Sequence, residues 1–182
     1  MKIAAVILAA GAATRFGSPK QLAPFGDGTV LDAAVGVARG AGLWPIVVVL
    51  PSAIPPPVEV TAVVNDAPGD GMGRSLRLGL AAVPDAAEAA LILLGDQPAV
   101  PAAVIARILQ SRGLRPIVAA RAGGILGPPV LLERRAFSMA NAAIGEQGLR
   151  DLIRGNRHIV TEVEVGEHAP DVDTPADLER MA

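Results

Sequence analysis

The loop after the first apolar segment combines small residues with two cations. Gly11 and Gly17 let backbone N–H groups approach a ligand closely, and Arg15 and Lys20 add positive charge. Five residues separate the two glycines and Ser-Pro-Lys follows the second, so the spacing fits neither a Walker loop nor a G-x-G-x-x-G turn. The pattern therefore predicts a phosphate-binding loop of another kind, in which Arg15 and Lys20 neutralise a triphosphate.

Two acidic residues are candidate metal ligands. Asp96 follows an apolar run in Gly-Asp-Gln-Pro, and hard cations such as Mg²⁺ are typically held by one or two carboxylates plus substrate phosphates. Asp173, in Asp-Val-Asp-Thr-Pro, is the second candidate. Asp96 could instead form the turn before Pro98, and Asp173 could begin a helix with Pro175 in its first turn and Asp177 near its positive end. For Asp173, we expect capping and metal binding to coexist.

A third loop, residues 65–76, joins a predicted strand to a predicted helix and is rich in glycine. Asn65, Gly71 and Ser75 are candidates for contacts with a base or ribose. The alternative is an ordinary glycine-rich turn in which Ser75 caps the helix. The position of this loop beside the first one favours nucleotide binding.

The sequence shows no legible protein nucleophile. It contains no cysteine, no Ser-His-Asp set can be recognised, and His158 and His168 lack metal-ligand spacing, so we interpret both histidines as surface or strand residues. A phosphate monoester that attacks a nucleotide α-phosphate is already anionic. Positioning and charge neutralisation suffice for that reaction, and the residues present match this requirement.

The elements that must position these loops alternate between strand and helix. Because the strands are almost continuously apolar, helices are expected on both faces of the sheet. We predict an α/β fold: a three-layer α/β/α sandwich with a Rossmann-like, mostly parallel sheet, which binds ligands at the carboxyl ends of its strands. The predicted strands are 3–8, 45–50, 58–64 and 89–94, and the predicted helices are 29–39, 71–82 and 101–110.

The pattern is looser after Pro116. It predicts short strands at 117–119 and 130–132, a helix at 146–154, a strand at 159–165 and a terminal helix after Thr174. The length favours one domain over 1–182, with a nucleotide half at about 1–115 and an acceptor half at about 116–182.

Composition narrows the partners and the compartment. No apolar run reaches the length of a membrane span, and a net charge of -2 with 2% aromatic residues argues against a nucleic-acid partner. Lys2 and the apolar run 3–10 resemble a short secretory peptide, but Arg15 and Lys20 follow too closely. Together with the absence of cysteine, this leads us to expect a cytoplasmic protein that acts on small molecules.

Six motifs, in their order and spacing, resemble a known family. They are LAAGAATRFGSPKQL at 8–22, NDAPGDGMGRSL at 65–76, GDQP at 95–98, GPPVLL at 127–132, GEQGLRDL at 145–152 and DVDTPADL at 171–178. The chain is similar over nearly its whole length to the MobA-like nucleotidyltransferases, and within them to the molybdenum cofactor cytidylyltransferase branch.

The resemblance implies roles for particular residues. The residues implied in nucleotide binding are Leu8, Ala9, Ala10, Gly11, Arg15, Lys20, Asn65, Gly71, Ser75 and Asp96. Arg15, Lys20 and Asp96 would be catalytic, and Asp96 and Asp173 would hold Mg²⁺. The guanylyl-transferring members carry Leu-Ala-Gly-Gly where this chain has Ala10, so the resemblance favours CTP over GTP. The extra methyl group crowds the base site.

One departure concerns the acceptor. The family usually shows Gly-His-Pro-Val where this chain has Pro128, which can neither donate a hydrogen bond nor titrate. The leading hypothesis is transfer of CMP from CTP to the terminal phosphate of molybdopterin, with release of pyrophosphate. One alternative is another phosphorylated acceptor, such as a sugar phosphate. A second is a non-catalytic module that delivers the cofactor to a recipient molybdoenzyme, although both carboxylates and both cations argue against it.

Overall fold

The computed structural model describes residues 2–11, 16–142, 145 and 148–181 of the 182-residue chain. The strands are β1 (Ile3–Leu8), β2 (Pro24–Phe25), β3 (Gly28–Thr29), β4 (Ile46–Leu50), β5 (Thr61–Val64), β6 (Ala89–Leu94), β7 (Ile117–Ala122), β8 (Ile125–Glu133) and β9 (Val160–Glu164). The α-helices are α1 (Val30–Gly40), α2 (Met72–Ala81), α3 (Ala102–Gln110), α4 (Gly148–Gly155) and α5 (Pro175–Met181). Short 3₁₀ segments lie at Lys20–Leu22, Pro68–Asp70, Arg134–Ala142 and Arg157–Ile159.

One seven-stranded sheet carries both predicted halves of the chain. Its strand order is β5-β4-β1-β6-β8-β7-β9, and β2 and β3 form a separate small hairpin. The pairs β4–β5, β1–β4, β1–β6 and β7–β9 are parallel, whereas β8 pairs antiparallel with both β6 and β7. Within this sheet, β8 alone runs against its neighbours. The mostly parallel, Rossmann-like α/β sheet predicted from the sequence is confirmed.

Apolar side chains cover both faces of the central strands. On β1, Ala5 and Ile7 belong to a core with residues of α1 and α3, whereas Val6 and Leu8 belong to a second core with residues of α2 and α4. All of β4 is buried, since neither of its faces meets solvent. Burial on both faces explains the near-continuous apolar runs, and the fold is a three-layer sandwich.

Three predicted strands differ from the observed ones. The predicted strand 58–64 begins only at Thr61, since three prolines precede it and Glu59 has a φ of 55°, which is incompatible with an extended strand. The short strands predicted at 117–119 and 130–132 belong to a longer hairpin, β7–β8. Gly123 and Gly124, both with positive φ, form its turn.

The remaining elements lie close to their predicted positions. The predicted helix 71–82 is α2, and the predicted helix 146–154 is α4, which begins at Gly148; residues 146 and 147 lie outside the described residues. The 3₁₀ segment Arg134–Ala142 and the β2–β3 hairpin are additions that the sequence pattern did not indicate. Among the described helices, none is long and apolar enough to span a bilayer.

Candidate active site

A cleft of about 590 Å³ opens at the carboxyl edge of the parallel strands. Residues from three predicted loops and from the last segment of the chain line it together. Of the predicted site residues, Leu8, Ala9, Ala10, Gly11, Lys20, Gly71, Ser75, Asp96 and Asp173 line this one cleft. Arg15 lies outside the described residues, so its predicted role stays a prediction. The structure therefore brings together residues that are up to about 165 positions apart in the sequence.

The first loop follows β1, and the side chain of Gln21 holds its backbone in place. The side-chain amide of Gln21 is 4% exposed and donates hydrogen bonds from Nε2 to the carbonyl oxygens of Ala9, at 2.7 Å, and Gly11, at 3.2 Å. These bonds fix the backbone on both sides of Ala10, whose side chain lines the cleft. Our sequence interpretation assigned no role to Gln21. Residue type does not distinguish a buried amide from an exposed one. Only the position of Gln21 next to Lys20 could have indicated that it belongs to the site.

Lys20 lies between the two predicted metal ligands. Its Nζ donates to Asp96 Oδ2 at 2.8 Å and to Asp173 Oδ1 at 3.1 Å, and its side chain is 12% exposed. Burial lowers the pKa of Lys20, but the hydrogen bonds and charges of Asp96 and Asp173 outweigh that effect and raise the pKa above its ordinary value. The ammonium group is charged at neutral pH. Two carboxylates 77 positions apart thus share one positive charge.

Backbone hydrogen bonds hold these carboxylates in place. Gly95 N donates to Leu8 O at 2.9 Å, which joins the end of β6 to the end of β1. Val172 N donates to Asp96 O at 2.8 Å, which brings the last segment of the chain beside β6. A Cβ on Gly95 would lie 2.6 Å from Ala9 Cβ, so the strand ends approach closely only because residue 95 is glycine.

The start of α5 positions Asp173. Asp177 Oδ2 accepts hydrogen bonds from the backbone N–H of Asp173 and of Thr174, at 3.0 and 2.6 Å, and from Thr174 Oγ1 at 2.8 Å. The hydrogen bond from the Thr174 hydroxyl, followed by that from its backbone N–H, lowers the pKa of Asp177. Pro175 begins the helix, as predicted, and the carboxylate of Asp173 remains available to Lys20.

Asp171 adds a third carboxylate to the cleft, and the sequence interpretation did not select it. Gln97, which is 5% exposed, donates from Nε2 to Asp171 Oδ1 at 2.9 Å and to Ala169 O at 3.2 Å. Although Asp171 is exposed at the cleft rim, desolvation by the surrounding protein raises its pKa, and the charges of Asp96 and Asp173 raise it further. Among the described residues that line the cleft, three carboxylates therefore accompany two cations, Lys20 and Arg150.

The third loop presents Gly71 and Ser75 to the cleft, with Asn65 behind them. Asn65 is 1% exposed; its Nδ2 donates to Ser75 Oγ at 3.0 Å, and its Oδ1 accepts from Arg74 Nε at 3.0 Å and from Ala67 N at 3.1 Å. Gly71 has a φ of 85°, a conformation that favours glycine. In this arrangement Asn65 orients Ser75, and its predicted contact with the nucleoside stays a prediction.

The C-terminal half of the chain also contributes to the lining of the cleft. Pro128 of β8, Leu149 and Arg150 of α4, and Asp171 line it. His168 does not line the cleft; its Nε2 lies 3.1 Å from Ile125 O and its ring packs beside Gly127. The sequence predicts a surface or strand position for this histidine. In the structure its side chain contacts the β7–β8 hairpin.

A metal ion in this cleft would need ligands from the substrate. Among the described residues, no three or more His, Cys, Asp or Glu side chains are arranged as a metal centre. Asp96 and Asp173 both bind the Lys20 ammonium, so their carboxylates lie close to one point. Two carboxylates completed by phosphate oxygens and water are a donor set that Mg²⁺ accepts, so these residues fit a metal that binds together with a nucleotide.

A mostly parallel sheet with a small-residue loop and a carboxylate pair at its carboxyl edge is typical of Rossmann-like nucleotide-binding proteins. The chain belongs to the MobA-like NTP transferase domain family, whose model matches residues 5–163. It is a nucleotidyltransferase.

Solved structures support this assignment. The chain is similar to Rv0371c from Mycobacterium tuberculosis H37Rv, with 35% identity and a TM-score of 0.87 over 100% of this chain and 98% of that one. The complex of Rv0371c with manganese is 34% identical, with a TM-score of 0.83 over 100% of this chain and 97% of that one. An Rv0371c homologue from Mycobacterium sp. strain JC1 is 30% identical, with a TM-score of 0.85 over 100% of this chain and 96% of that one. Comparison with curated proteins gives no match.

Proposed function

We propose that this nucleotidyltransferase transfers CMP from CTP to the terminal phosphate of molybdopterin, with Mg²⁺ as cofactor and pyrophosphate as the second product. The observation that carries the proposal is the shared cation site: Asp96 and Asp173 both bind the Lys20 ammonium at the edge of the first loop. A cation site beside a phosphate-binding loop is what transfer of a nucleotide requires.

The donor set favours a divalent cation held with the nucleotide. Asp96 and Asp173 would hold it, and when bound it would neutralise negative charge on the phosphates. Asp171 places a third carboxyl group in the cleft, and the Rv0371c complex with manganese is a similar protein with a divalent metal. Lys20, whose ammonium group lies at these carboxylates, would contribute positive charge to the binding of the triphosphate.

The chain's own residues would position the two substrates. The terminal phosphate oxygen of the acceptor forms a bond to the α-phosphorus of CTP, and the bond from that phosphorus to the bridging oxygen of the β-phosphate breaks. Pyrophosphate leaves with the electron pair. The attacking oxygen is already anionic, so no side chain has to remove a proton. Lys20, with Arg15, would stabilise the charge on the departing pyrophosphate.

The preference for CTP is supported by Ala10. Its side chain is 5% exposed and lines the cleft on backbone that Gln21 holds fixed. A methyl group on rigid backbone reduces the space for a base, which favours a pyrimidine. One methyl group contributes only about 1–3 kcal/mol of discrimination, so we expect a preference rather than strict exclusion of GTP.

A matrix of nucleotides against acceptors tests the proposal. Pyrophosphate release is measured for CTP, GTP, ATP and UTP, each with molybdopterin, with glucose 1-phosphate and without acceptor, in the presence of Mg²⁺ and after its removal by a chelator. We expect release with CTP and molybdopterin that is lost without metal. Release with another pair only, or undiminished release without metal, would contradict the proposal.

A different acceptor is the second candidate, because Pro128 lines the cleft where an acceptor would lie. Proline offers no hydrogen-bond donor to a pterin. Turnover with glucose 1-phosphate and none with molybdopterin would favour this reading. Binding of CTP without pyrophosphate release from any acceptor would favour a delivery module.

A further inference from the structure

We infer that Arg150 is the residue that binds the acceptor's phosphate. This inference rests on the proposed function, since it assigns one group of the second substrate to one side chain. Arg150 is exposed in the first turn of α4 and lines the cleft from the C-terminal half of the chain. The motif that contains it, 145–152, has no role in the nucleotide site described above.

Among the described residues with which the C-terminal half lines the cleft, Arg150 has the one cationic side chain. Pro128 and Leu149 are apolar at their side chains, and the Asp171 carboxylate is held by Gln97 and repels an anion. A guanidinium group matches a phosphate with two parallel N–H···O hydrogen bonds, which fixes both the position and the orientation of the phosphate.

Arg150 is available for such a ligand. Within the described ranges it forms no ion pair or side-chain hydrogen bond, whereas Arg154, one turn further along α4, lies 3.5 Å from Asp151. The other cation described in the cleft, Lys20, is bound to Asp96 and Asp173. Two cations from different halves of the chain thus line the cleft for two phosphate-bearing substrates: Lys20 beside the first loop and Arg150 on α4.

A cation in this part of the cleft also serves the reaction. The attacking group is a phosphate with negative charge, and it must approach a triphosphate that is itself negative, beside three carboxylates. Without a positive charge near it, the acceptor would be repelled from the cleft. Arg150 would bind the attacking phosphate, whose negative charge is already present before the reaction and does not build up in it, so Arg150 should act mainly on acceptor binding and less on the step that releases pyrophosphate.

The test compares Arg150→Ala, Arg150→Lys and the control Arg154→Ala. Steady-state pyrophosphate release gives KM for molybdopterin, KM for CTP and kcat. We expect the acceptor KM of Arg150→Ala to rise by about 10- to 100-fold, as for the loss of a charge-assisted pair. KM for CTP and kcat should stay within about twofold, since no interaction with the nucleotide is removed. Arg150→Lys should recover part of the loss, and Arg154→Ala should resemble the wild type.

A binding measurement separates this inference from the proposed function. Equilibrium dialysis of molybdopterin, and separately of glucose 1-phosphate, is performed with Mg²⁺ and a non-hydrolysable α,β-methylene CTP analogue. If the wild type binds an acceptor but transfers nothing, the proposed function fails, and weaker acceptor binding by Arg150→Ala still supports the inference. Equal acceptor binding by Arg150→Ala and wild type, an equal loss of CTP affinity, or no acceptor binding by the wild type would overturn it.

Discussion

The two walls of the cleft are built differently. The N-terminal wall, formed by residues 8–11, Gly71 and Ser75, is braced by the buried side-chain amides of Gln21 and Asn65. The C-terminal wall, formed by Pro128, Leu149, Arg150 and Asp171, has one such brace, from Gln97 to Asp171. Asp96, Asp173 and Lys20 lie between the two walls.

This difference suggests which of the two walls can accept substitutions and which cannot. Backbone held by buried hydrogen bonds offers a rigid surface, suited to a substrate that all members of a family share. On the other wall, Leu149 is buried in the core, but Arg150 is exposed and Pro128 is half-buried, so these two side chains can change by single substitutions with less effect on the sheet. The departure at Pro128 lies on that second wall, so we expect nucleotide binding to depend on backbone geometry and acceptor binding on individual side chains.

We expect the largest loss of activity from removing the negative charge of Asp96. Asp96→Asn keeps the shape of the side chain but removes the charge that a metal ion and Lys20 require. We expect kcat/KM to fall by about 10²- to 10³-fold, since a bound cation contributes several kcal/mol to charge stabilisation. Pyrophosphate release measures this, with the exposed Asp85→Asn as the control. Unchanged turnover would remove Asp96 from the proposed metal site.

The next largest effect should follow from filling the gap between β1 and β6. In Gly95→Ala the new Cβ would lie 2.6 Å from Ala9 Cβ, so the strand ends must separate. We expect a loss of stability of about 1–3 kcal/mol in chemical denaturation, together with weaker CTP binding. Gly36→Ala, at an open helical position, should be neutral or stabilising. A Gly95→Ala variant as stable as wild type would contradict the close packing.

Rigid backbone on the N-terminal wall can be tested through Gln21. Gln21→Met keeps a similar volume but leaves the carbonyl oxygens of Ala9 and Gly11 without their donor. Because unpaired buried acceptors cost about 1–3 kcal/mol, we expect CTP affinity to fall about tenfold by calorimetry while acceptor KM changes less. The exposed Gln110→Met is the control. A larger effect on the acceptor than on CTP would reverse the comparison of the walls.

The smallest effect should come from the cap that positions Asp173. Because hydrogen bonds lower the pKa of Asp177 in the folded state, its contribution to stability is present above the unfolded pKa of about 4 and is lost as the pH falls through the folded value. Asp177→Asn should therefore lower Tm at pH 7 and match wild type at acidic pH. Glu179→Gln, exposed on the same helix, should show no such convergence. A pH-independent difference would rule out the carboxylate as its source.

Much of the fold could be predicted because burial on both faces of a sheet leaves a clear pattern. The apolar runs of β1, β4 and β6 and the loops after β1, β5 and β6 were recognisable, and together they indicate the edge where the cleft lies. The direction of β8 was not predictable: Pro128 and Pro129 interrupt its pattern, and the β7–β8 turn depends on the long-range pairing of β8 with β6.

Within the candidate site, residue types were easier to predict than their partners. The acidic and basic character of Asp96, Asp173 and Lys20 was visible in the sequence, but their mutual ion pairs depend on contacts between residues 76 and 153 positions apart. Gln21 and Asp171 were missed for a related reason. An amide gains its role by burial and a carboxylate by its neighbours, and neither property is encoded in a local motif.

The backbone hydrogen bond from Val172 to Asp96 has a consequence for how this enzyme should be divided into parts. The family match ends at residue 163, yet Asp171 and Asp173 lie beyond it. The cleft is therefore lined in part by residues beyond the matched family domain. A fragment cut at the family boundary would keep every strand-end loop of the N-terminal wall but lose two of the three acids. We expect such a fragment to bind the nucleotide without turning it over. Truncation of the chain near the end of β9 would then separate nucleotide binding from nucleotidyl transfer.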